Sequence, residues 1–442
     1  MLRRSIVLLA AGSLCLAAPT GPSEQTGASS GTFNVMSIRV DGLPAILDNS
    51  GPSDDDKNEN AMYIGMKISH NDYGVVNVQE DYSYHKTLYQ YDRHQFRTET
   101  SGNAPSGSGL NTLSKYNWVD FSRIEWDSCG SACLTPLGFT FMRARLDEGV
   151  YIDMVNLDTN HGTGLDDLMA KRWNIRQVSD FIRSQSDGNA VIVFGNTCSL
   201  YTRFENNIRL LSTHNGLIDA WVEAIGGNAP ATGADITCPK GVPPRISCED
   251  EQKILYRGSP FINLTSSGFY YDTSSFLSPE GNALSSQNPV RVEFGWNLKP
   301  GLRQSDPYGG PHGTWFNDLL RIPSAPKLSS ITLRGANRLD GLTLTLTSGE
   351  KFTHGGSGGV KYTLKLSSDE YIPSFKLCWD KRNGHTRIFY AKATTNKGKI
   401  IQAGKWTNQC TTAVAPSGYA VVGTYGQDGH EIDQLGFIYA PQ

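Results

Sequence analysis

The stretch Leu342-Thr-Leu-Thr-Leu-Thr347 alternates apolar and polar side chains, which is typical of a β-strand that turns one face to a core. Further strand patterns follow at Tyr362-Thr-Leu-Lys-Leu366 and Ala420-Val-Val-Gly423, with glycine-containing turns between the segments. The sequence therefore predicts that residues 328–442 form an all-β unit.

The residues before this unit carry a mixed pattern. The run Val191-Ile-Val-Phe194 is wholly apolar, as in a strand buried on both faces, whereas residues 166–182 place apolar side chains at helical spacing. A polar segment with proline and glycine, residues 298–305, predicts a linker. We therefore expect an α+β domain at residues 31–297 and an all-β domain at residues 306–442.

The first 18 residues predict export. Arg3 and Arg4 precede an apolar run and a small-residue cleavage region, which is the pattern of a secretory signal peptide and is too short to span a bilayer. Residues 19–30 are small and polar, and predict a flexible lead-in. We expect a secreted, extracellular protein without a transmembrane segment, glycosylated at the sequon that begins at Asn263.

Export favours disulfide bonds among the eight cysteines, of which Cys15 lies in the signal segment. Although the sequence alone leaves other connectivities open, we predict three bonds: Cys129–Cys133, Cys238–Cys248 and Cys378–Cys410. Cys198 is left over. We interpret it as a buried free thiol rather than a nucleophile, because its neighbours Thr197 and Ser199 supply neither a base nor a positive charge.

Five motifs follow one another along the N-terminal domain: Thr32-Phe-Asn34-Val, Val78-Gln-Glu80-Asp, Ser108-Gly-Leu-Asn-Thr-Leu-Ser, Val193-Phe-Gly-Asn196-Thr and Leu284-Ser-Ser-Gln-Asn-Pro-Val. In this order they resemble the endonuclease/exonuclease/phosphatase (DNase I-like) superfamily, and its fungal secreted members in particular. The resemblance implies a four-layer αββα sandwich and hydrolysis of phosphoesters with Mg²⁺.

The same resemblance implies that catalysis is lost. Glu80 matches the metal-binding glutamate of the superfamily and Asn34 its companion asparagine. Other positions depart from the catalytic pattern: Asp158, Asn196, Cys198, Gln252, Ser286 and Gln287. Because one carboxylate cannot hold Mg²⁺ and activate water, we expect a pseudoenzyme without a cofactor. His161 and Asp81 are the residues that could compensate, and Mg²⁺ at Glu80 is expected only if the domain is active.

The C-terminal domain carries a second set of motifs: Tyr308-Gly-Gly-Pro-His-Gly313-Thr-Trp-Phe-Asn-Asp, Arg338-Leu-Asp340-Gly, His354-Gly-Gly-Ser-Gly-Gly, Glu370-Tyr-Ile and Gly429-His-Glu-Ile-Asp433-Gln-Leu-Gly. They resemble the jacalin-related lectins, which implies a β-prism of three four-stranded sheets.

This resemblance also implies sugar-binding residues. Tight turns offer backbone amides and one carboxylate accepts from a pair of hydroxyl groups, so the expected site consists of Gly313, Gly429, His430, Glu431 and Asp433. A second possible site consists of Asn337, Arg338, Asp340, Gly355 and Gly356. Asp340 equally suits a turn before Gly341. Glu431 is a departure, since it brings a negative side chain that either repels acidic glycans or points to solvent.

These expectations define the functional hypotheses. The leading one is a secreted lectin with a pseudo-phosphodiesterase domain, whose partners are glycans or glycoproteins. The alternative is a secreted Mg²⁺-dependent phosphoesterase that the lectin domain targets to glycans, and an interaction protein built from a former enzyme is a third. A net charge of −3 with 19% charged residues gives no basic surface for nucleic acid.

Overall fold

The structure is a computed structural model that describes residues 27–48, 51–130, 136–159 and 161–442. The predicted signal peptide, residues 19–26 of the predicted lead-in, and Cys133 lie outside the described residues. Across the described helices, none combines the length and the apolar composition that crossing a membrane requires.

Two six-stranded sheets pack face to face in the N-terminal domain. Its strands are β1 (Ser30–Arg39), β2 (Val75–Gln79), β3 (Phe96–Arg97), β4 (Asn111–Ser114), β5 (Trp118–Glu125), β6 (Gly138–Asp147), β7 (Val150–Leu157), β8 (Ala190–Asn196), β9 (Ile218–Asp219), β10 (Gln252–Arg257), β11 (Ile262–Tyr271) and β12 (Val290–Leu298). The sheet orders are β11-β12-β1-β2-β4-β3 and β5-β6-β7-β8-β10-β9.

Helices cover the outer faces of both sheets. They are α1 (Asp54–His70), α2 (His85–Tyr91), α3 (Leu165–Gln185), α4 (Arg209–Asn215) and α5 (Ala220–Ala224). Ile64 and Ile68 of α1 are buried in a cluster with the first sheet, and Ile175 and Val178 of α3 are buried against the second. The predicted four-layer αββα sandwich is confirmed, and α3 contains the predicted helix.

The strand directions place the carboxyl ends of four strands, β1, β2, β7 and β8, at one edge of the sandwich. β1 runs parallel to β2 in the first sheet, and β7 runs parallel to β8 in the second. Parallel strands end at the same edge, and ligands of α/β sheets bind beyond the carboxyl ends of strands. The residues that follow these four strands therefore meet in one pocket.

The C-terminal domain consists of three sheets around its own core. Its strands are β13 (Arg303–Gln304), β14 (Tyr308–Gly309), β15 (Thr314–Asn317), β16 (Leu328–Gly335), β17 (Leu339–Leu346), β18 (Lys351–Gly355), β19 (Val360–Lys365), β20 (Ser374–Arg382), β21 (His385–Thr394), β22 (Ile400–Gly404), β23 (Gln409–Val414), β24 (Tyr419–Asp428) and β25 (Ile432–Pro441). Short 3₁₀ helices lie at Ala45–Leu47, Thr273–Ser275 and Asp318–Arg321.

The predicted β-prism is confirmed. Two sheets have four strands each, β18-β17-β16-β19 and β22-β21-β20-β23, and the third is β13-β25-β24-β15 with the short strand β14 added on β25. Residues 299–302 connect the two domains, since β12 ends at Leu298 and β13 begins at Arg303. The connection is thus shorter than the predicted linker, residues 298–305: Leu298 belongs to β12, and residues 303–305 form or follow the first strand of the third sheet.

Two predicted disulfide bonds are present, Cys238–Cys248 and Cys378–Cys410. The predicted bond of Cys129 to Cys133 extends outside the described residues. Cys198 is a buried free thiol, as expected. Asn263 is exposed on β11, where its side chain donates to Asn297 Oδ1 at 3.1 Å, and its glycosylation stays a prediction.

A buried ion-pair cluster of the N-terminal domain lies against the C-terminal domain. Arg143 of β6, whose side chain is 3% exposed, donates to Asp153 and to Asp120 at 2.7 and 2.8 Å. Its guanidinium lies 3.5 Å from the ring centroid of Trp315 in the C-terminal domain. Asp120 in turn accepts from Gln434 Nε2 of β25 at 2.9 Å. The centre of the interface is therefore buried and polar. The apolar core of the sandwich continues around it into the β-prism.

Candidate functional site

The predicted sugar site is assembled from two chain segments of the β-prism. Gly313 immediately precedes β15, and Asp433 lies at the start of β25. A Cβ atom at position 313 would lie 2.5 Å from Asp433 Oδ2 and 2.5 Å from the Asp428 carbonyl oxygen. Any larger residue at position 313 would therefore overlap the carboxylate of Asp433, whose side chain is 5% exposed. The structure brings these two predicted residues together.

Asp433 is held by a partner that the sequence reasoning missed. Its Oδ1 lies 2.7 Å from Arg387 Nε of β21. Burial raises the pKa of Asp433 to about 6; Arg387 opposes this shift, whereas Glu431 and Asp428 add to it. No sequence pattern indicated Arg387, because the contact depends on how two sheets of the prism meet.

The loop between β24 and β25 carries the other predicted residues. The amide of Gly429 donates to the Glu431 carbonyl at 3.0 Å, which closes a tight turn around His430. A Cβ at Gly429 would meet no atom within 4 Å, so this turn faces open space. The Glu431 carboxylate is not free to repel acidic glycans, and it does not point to solvent. Its side chain is 13% exposed and pairs with Arg338 and Arg382.

The residues of the possible second site lie beside this loop, but in a different arrangement from the one expected. The Gly355 amide donates to the Asp428 carboxylate at 2.5 Å, and the Gly356 amide donates to the Asp340 carbonyl at 2.7 Å. A Cβ at Gly358 or Gly359 would lie 3.1 or 2.5 Å from the Asp340 carboxylate. The glycines next to this carboxylate are therefore the second pair of His354-Gly-Gly-Ser-Gly-Gly, a signal that the sequence contained.

The remaining two residues of that set have separate roles. Arg338 is engaged by Glu431, as described, and Asn337 is exposed on the turn between β16 and β17. Burial is the main cause that raises the pKa of Asp340, and Glu431 adds to the shift. Because Arg338 contacts Glu431 and Gly356 packs against His430, the two predicted sugar sites adjoin on one end of the prism.

In the N-terminal domain, the pocket at the strand ends contains Glu80 and an arginine. Arg39, the last residue of β1, donates from Nη2 to Glu80 Oε1 at 2.7 Å, and its Nε lies 3.0 Å from Asp41 Oδ1. The prediction that Asn34 accompanies Glu80 is wrong. Asn34 lies in the middle of β1, five residues before Arg39, where its Oδ1 accepts from the Gly74 amide at 2.7 Å.

Neutral groups occupy the flank of this pocket. Gln252 donates to Gln287 Oε1 at 3.0 Å and accepts from Ser37 at 2.6 Å. Ser286 donates to the carboxylate of Asp41 from both its amide and its hydroxyl group, at 2.6 and 2.7 Å. A cavity of about 260 Å³ adjoins them, with Ser286 and Gln287 in its lining. Gln252 and Gln287 thus bond each other, whereas Ser286 bonds the carboxylate of Asp41.

The other substituted positions converge on a histidine. Asn196 Nδ2 donates to Asp158 Oδ1 at 3.0 Å, His161 Nε2 lies 3.1 Å from the same oxygen, and His161 Nδ1 lies 3.0 Å from Cys198 Sγ. Burial acts to lower the pKa of His161, but Asp158 and Cys198 raise it well above its ordinary value. The expectation that Cys198 lacks a neighbouring base is therefore wrong, because His161 reaches it from the loop after β7.

Mg²⁺ does not fit these residues. Glu80 and Asp41 are both paired with Arg39. Burial acts to lower the pKa of Arg39, but these carboxylates and Asp158 raise it, so a fixed positive charge stands where the cation would bind. Asp158 Oδ2 is buried without a hydrogen-bond partner, yet one anionic oxygen is far from an octahedral ligand set. Asp81 does not compensate, because it pairs with His85 at 2.7 Å.

Comparison with known proteins separates the two halves of the chain. Residues 305–438 match the family model of the jacalin-like lectin domain. The sphingomyelinase of Mycobacterium tuberculosis is 32% identical over 277 residues, which are 61% of this chain and 54% of the relative, so the chain spans about half of that protein's length.

Solved structures are similar to one or the other half of the chain. Malaysian banana lectin is 22% identical, with a TM-score of 0.29 over 32% of this chain and all of its own. Sphingomyelinase C from Streptomyces griseocarneus is 14% identical, with a TM-score of 0.41 over 60% of this chain and 99% of its own. Residues 305–438 are thus a jacalin-like lectin domain, and the residues before them form a DNase I-like domain whose sequence is similar to that of sphingomyelinases.

Proposed function

We propose that the protein is a secreted carbohydrate-binding protein whose larger domain no longer hydrolyses phosphoesters with Mg²⁺. The observation that carries the proposal is the contact of Gly313 with the Asp433 carboxylate, beside a tight turn at residues 429–431 that faces open space. A carboxylate accepts hydrogen bonds from two sugar hydroxyl groups, and the turn offers backbone amides to the same hydroxyl pair. The two disulfide bonds agree with an oxidising, extracellular location.

The test is binding to a panel of immobilised glycans. We expect binding to mannose-type or related glycans, because the site offers an acceptor and amide donors in place of a charged clamp for acidic sugars. The Glu431 carboxylate is neutralised by two arginines, so acidic glycans gain no specific contact there. A panel that stays blank at high protein concentration contradicts the proposal.

Glycan binding should depend on pH through Asp433. The pKa of this carboxyl group is raised to about 6, and its ionised form is the acceptor that the sugar requires. Binding is therefore complete above this pH and lost as the pH falls through it, since the protonated group replaces one acceptor by a donor. Titration of the affinity from about pH 8 to about pH 5 measures this; a flat profile would show that Asp433 does not contact the sugar.

The alternative of a Mg²⁺-dependent phosphoesterase has one observation in its favour, the 32% identity to a sphingomyelinase. The Arg39–Glu80 ion pair opposes it, because a metal would have to displace a buried guanidinium from its carboxylate. We expect no Mg²⁺-stimulated hydrolysis of sphingomyelin, inositol phosphates or nucleic acid, and the same background rate in Glu80→Ala. Turnover that rises with Mg²⁺ and disappears in Glu80→Ala would restore the alternative.

A further inference from the structure

The imidazole of His161 lies between a thiol and a carboxylate. Its Nδ1 is 3.0 Å from Cys198 Sγ and its Nε2 is 3.1 Å from Asp158 Oδ1. Asp158 is fully buried, so the carboxylate that orients the ring is shielded from water. A nucleophile, a base and a group that orients the base are the elements of nucleophilic catalysis, and here they stand in the required order.

The backbone holds the thiol in place. Cys198 has a φ of +44° at the tight turn after β8, a left-handed conformation that costs a non-glycine residue free energy and is concentrated at functional sites. Its amide donates to Asn196 Oδ1 at 3.2 Å, and the same asparagine donates to Asp158. Asn196 therefore holds Cys198 and Asp158 in fixed positions relative to each other.

The same three side chains could be considered as metal ligands, since their donor atoms lie within 4.8 Å of one another. The ring orientation opposes this. The thiol and the carboxylate contact different ring nitrogens, whereas an ion bound by His161 uses only one of them. The Arg39 guanidinium, 3.4 Å from His161 Nδ1, also places a positive charge beside the position of the ion.

We propose that Cys198 is a nucleophile for small activated acyl esters, with His161 as its base and Asp158 as the residue that orients His161. His161 takes the thiol proton while Sγ attacks the carbonyl carbon, so an S–C bond forms and the C–O bond to the alcohol breaks. His161 returns the proton to the leaving oxygen. Water then cleaves the thioester with His161 as base, which yields the acid and restores the thiol.

Burial sets the size of the substrate. Cys198 is 2% exposed, whereas the side chain of His161, which covers it, is 33% exposed. Because the thiol is buried, we expect a small acyl group to reach Sγ more readily than a bulky electrophile. The structure therefore selects acyl groups of a few atoms, and large thiol reagents should react much more slowly than small ones.

The experiment measures acylation of the intact protein by p-nitrophenyl acetate. We expect a burst of one nitrophenolate per chain, with the acetyl group located on Cys198 by peptide mass spectrometry. His161→Gln should slow the burst about 100-fold, which is the usual contribution of a general base. His85→Gln is the matched control, because His85 also contacts a buried aspartate, Asp81, but no thiol, and its burst should be unchanged.

Three results would overturn the proposal. The first is absence of acetyl on Cys198 in the unmodified protein, a measurement that needs no variant to fold. The second is an equal burst rate in His161→Gln and the unmodified protein. The third is one equivalent of zinc in the purified protein that is lost in Cys198→Ser, because a metal-bound thiolate cannot act as the nucleophile that His161 activates.

Discussion

Replacement of Arg143 by methionine is expected to lower the free energy of unfolding by about 3–5 kcal/mol. The substitution keeps most of the side-chain volume but leaves the carboxylates of Asp120 and Asp153 buried without their cation. Burial already raises the pKa of Asp153 against the effect of Arg143, so its charged form is costly once the guanidinium is gone. Chemical denaturation followed by fluorescence measures the loss.

Arg145→Met is the matched control. Arg145 pairs with Asp306 of the C-terminal domain at 2.9 Å, but its side chain is 39% exposed. Exposed pairs contribute little, so we expect a loss of about 0–1 kcal/mol. Equal losses in the two variants would show that burial of the Arg143 ion pairs does not make them important for stability.

The substitution Asp433→Ala should abolish glycan binding. Each hydrogen bond to a charged group contributes about 1.5–3 kcal/mol, so the loss of a carboxylate that accepts from two hydroxyl groups weakens binding about 100-fold or more. The variant should keep its fold, because Asp433 lies at the end of a strand and its one charged contact is with Arg387. Calorimetry with the best glycan of the panel measures the affinity.

A second carboxylate in the lectin domain provides the control for this variant. Asp369 has a side chain that is 70% exposed and pairs with Lys397 on a separate loop. Asp369→Ala should bind glycan with the affinity of the unmodified protein. If Asp433→Ala also binds normally, then the sugar is held elsewhere, and the glycine pair beside Asp340 is the next position to change.

The strands and helices could be predicted because local patterns determine them, whereas the sandwich and the prism were implied by the resemblance of the motifs. The alternation at residues 342–347 and the helical spacing at residues 166–182 each depend on near neighbours, and both became the expected elements. The proximity of Gly313 and Asp433 was also predictable, since both lie in motifs with a recognisable order. What the sequence did not show was the partner of Asp433, because Arg387 lies 46 residues away on another sheet.

The pocket of the larger domain was the least predictable part. Asn34 has the residue type that the motif suggested, but it lies in the middle of β1, so it is Arg39 at the end of the strand that reaches Glu80. Cys198 and His161 are 37 residues apart, and they meet because β7 and β8 are parallel neighbours. Strand direction and order are tertiary properties, and no local spacing in the sequence encodes them.

One amide group spans the joint between the domains. Gln427 accepts from the Gly313 amide at 3.2 Å and donates to Asp120 at 3.2 Å. Rotation of one domain against the other would break the contact of Gln427 with Asp120, so this contact favours one relative orientation of the two domains. A molecule bound to a sugar through its lectin domain would therefore hold the pocket around Cys198 at a fixed distance from the glycan-coated surface and at a fixed angle to it. In a layer of such molecules, all of these pockets would have the same orientation relative to the surface.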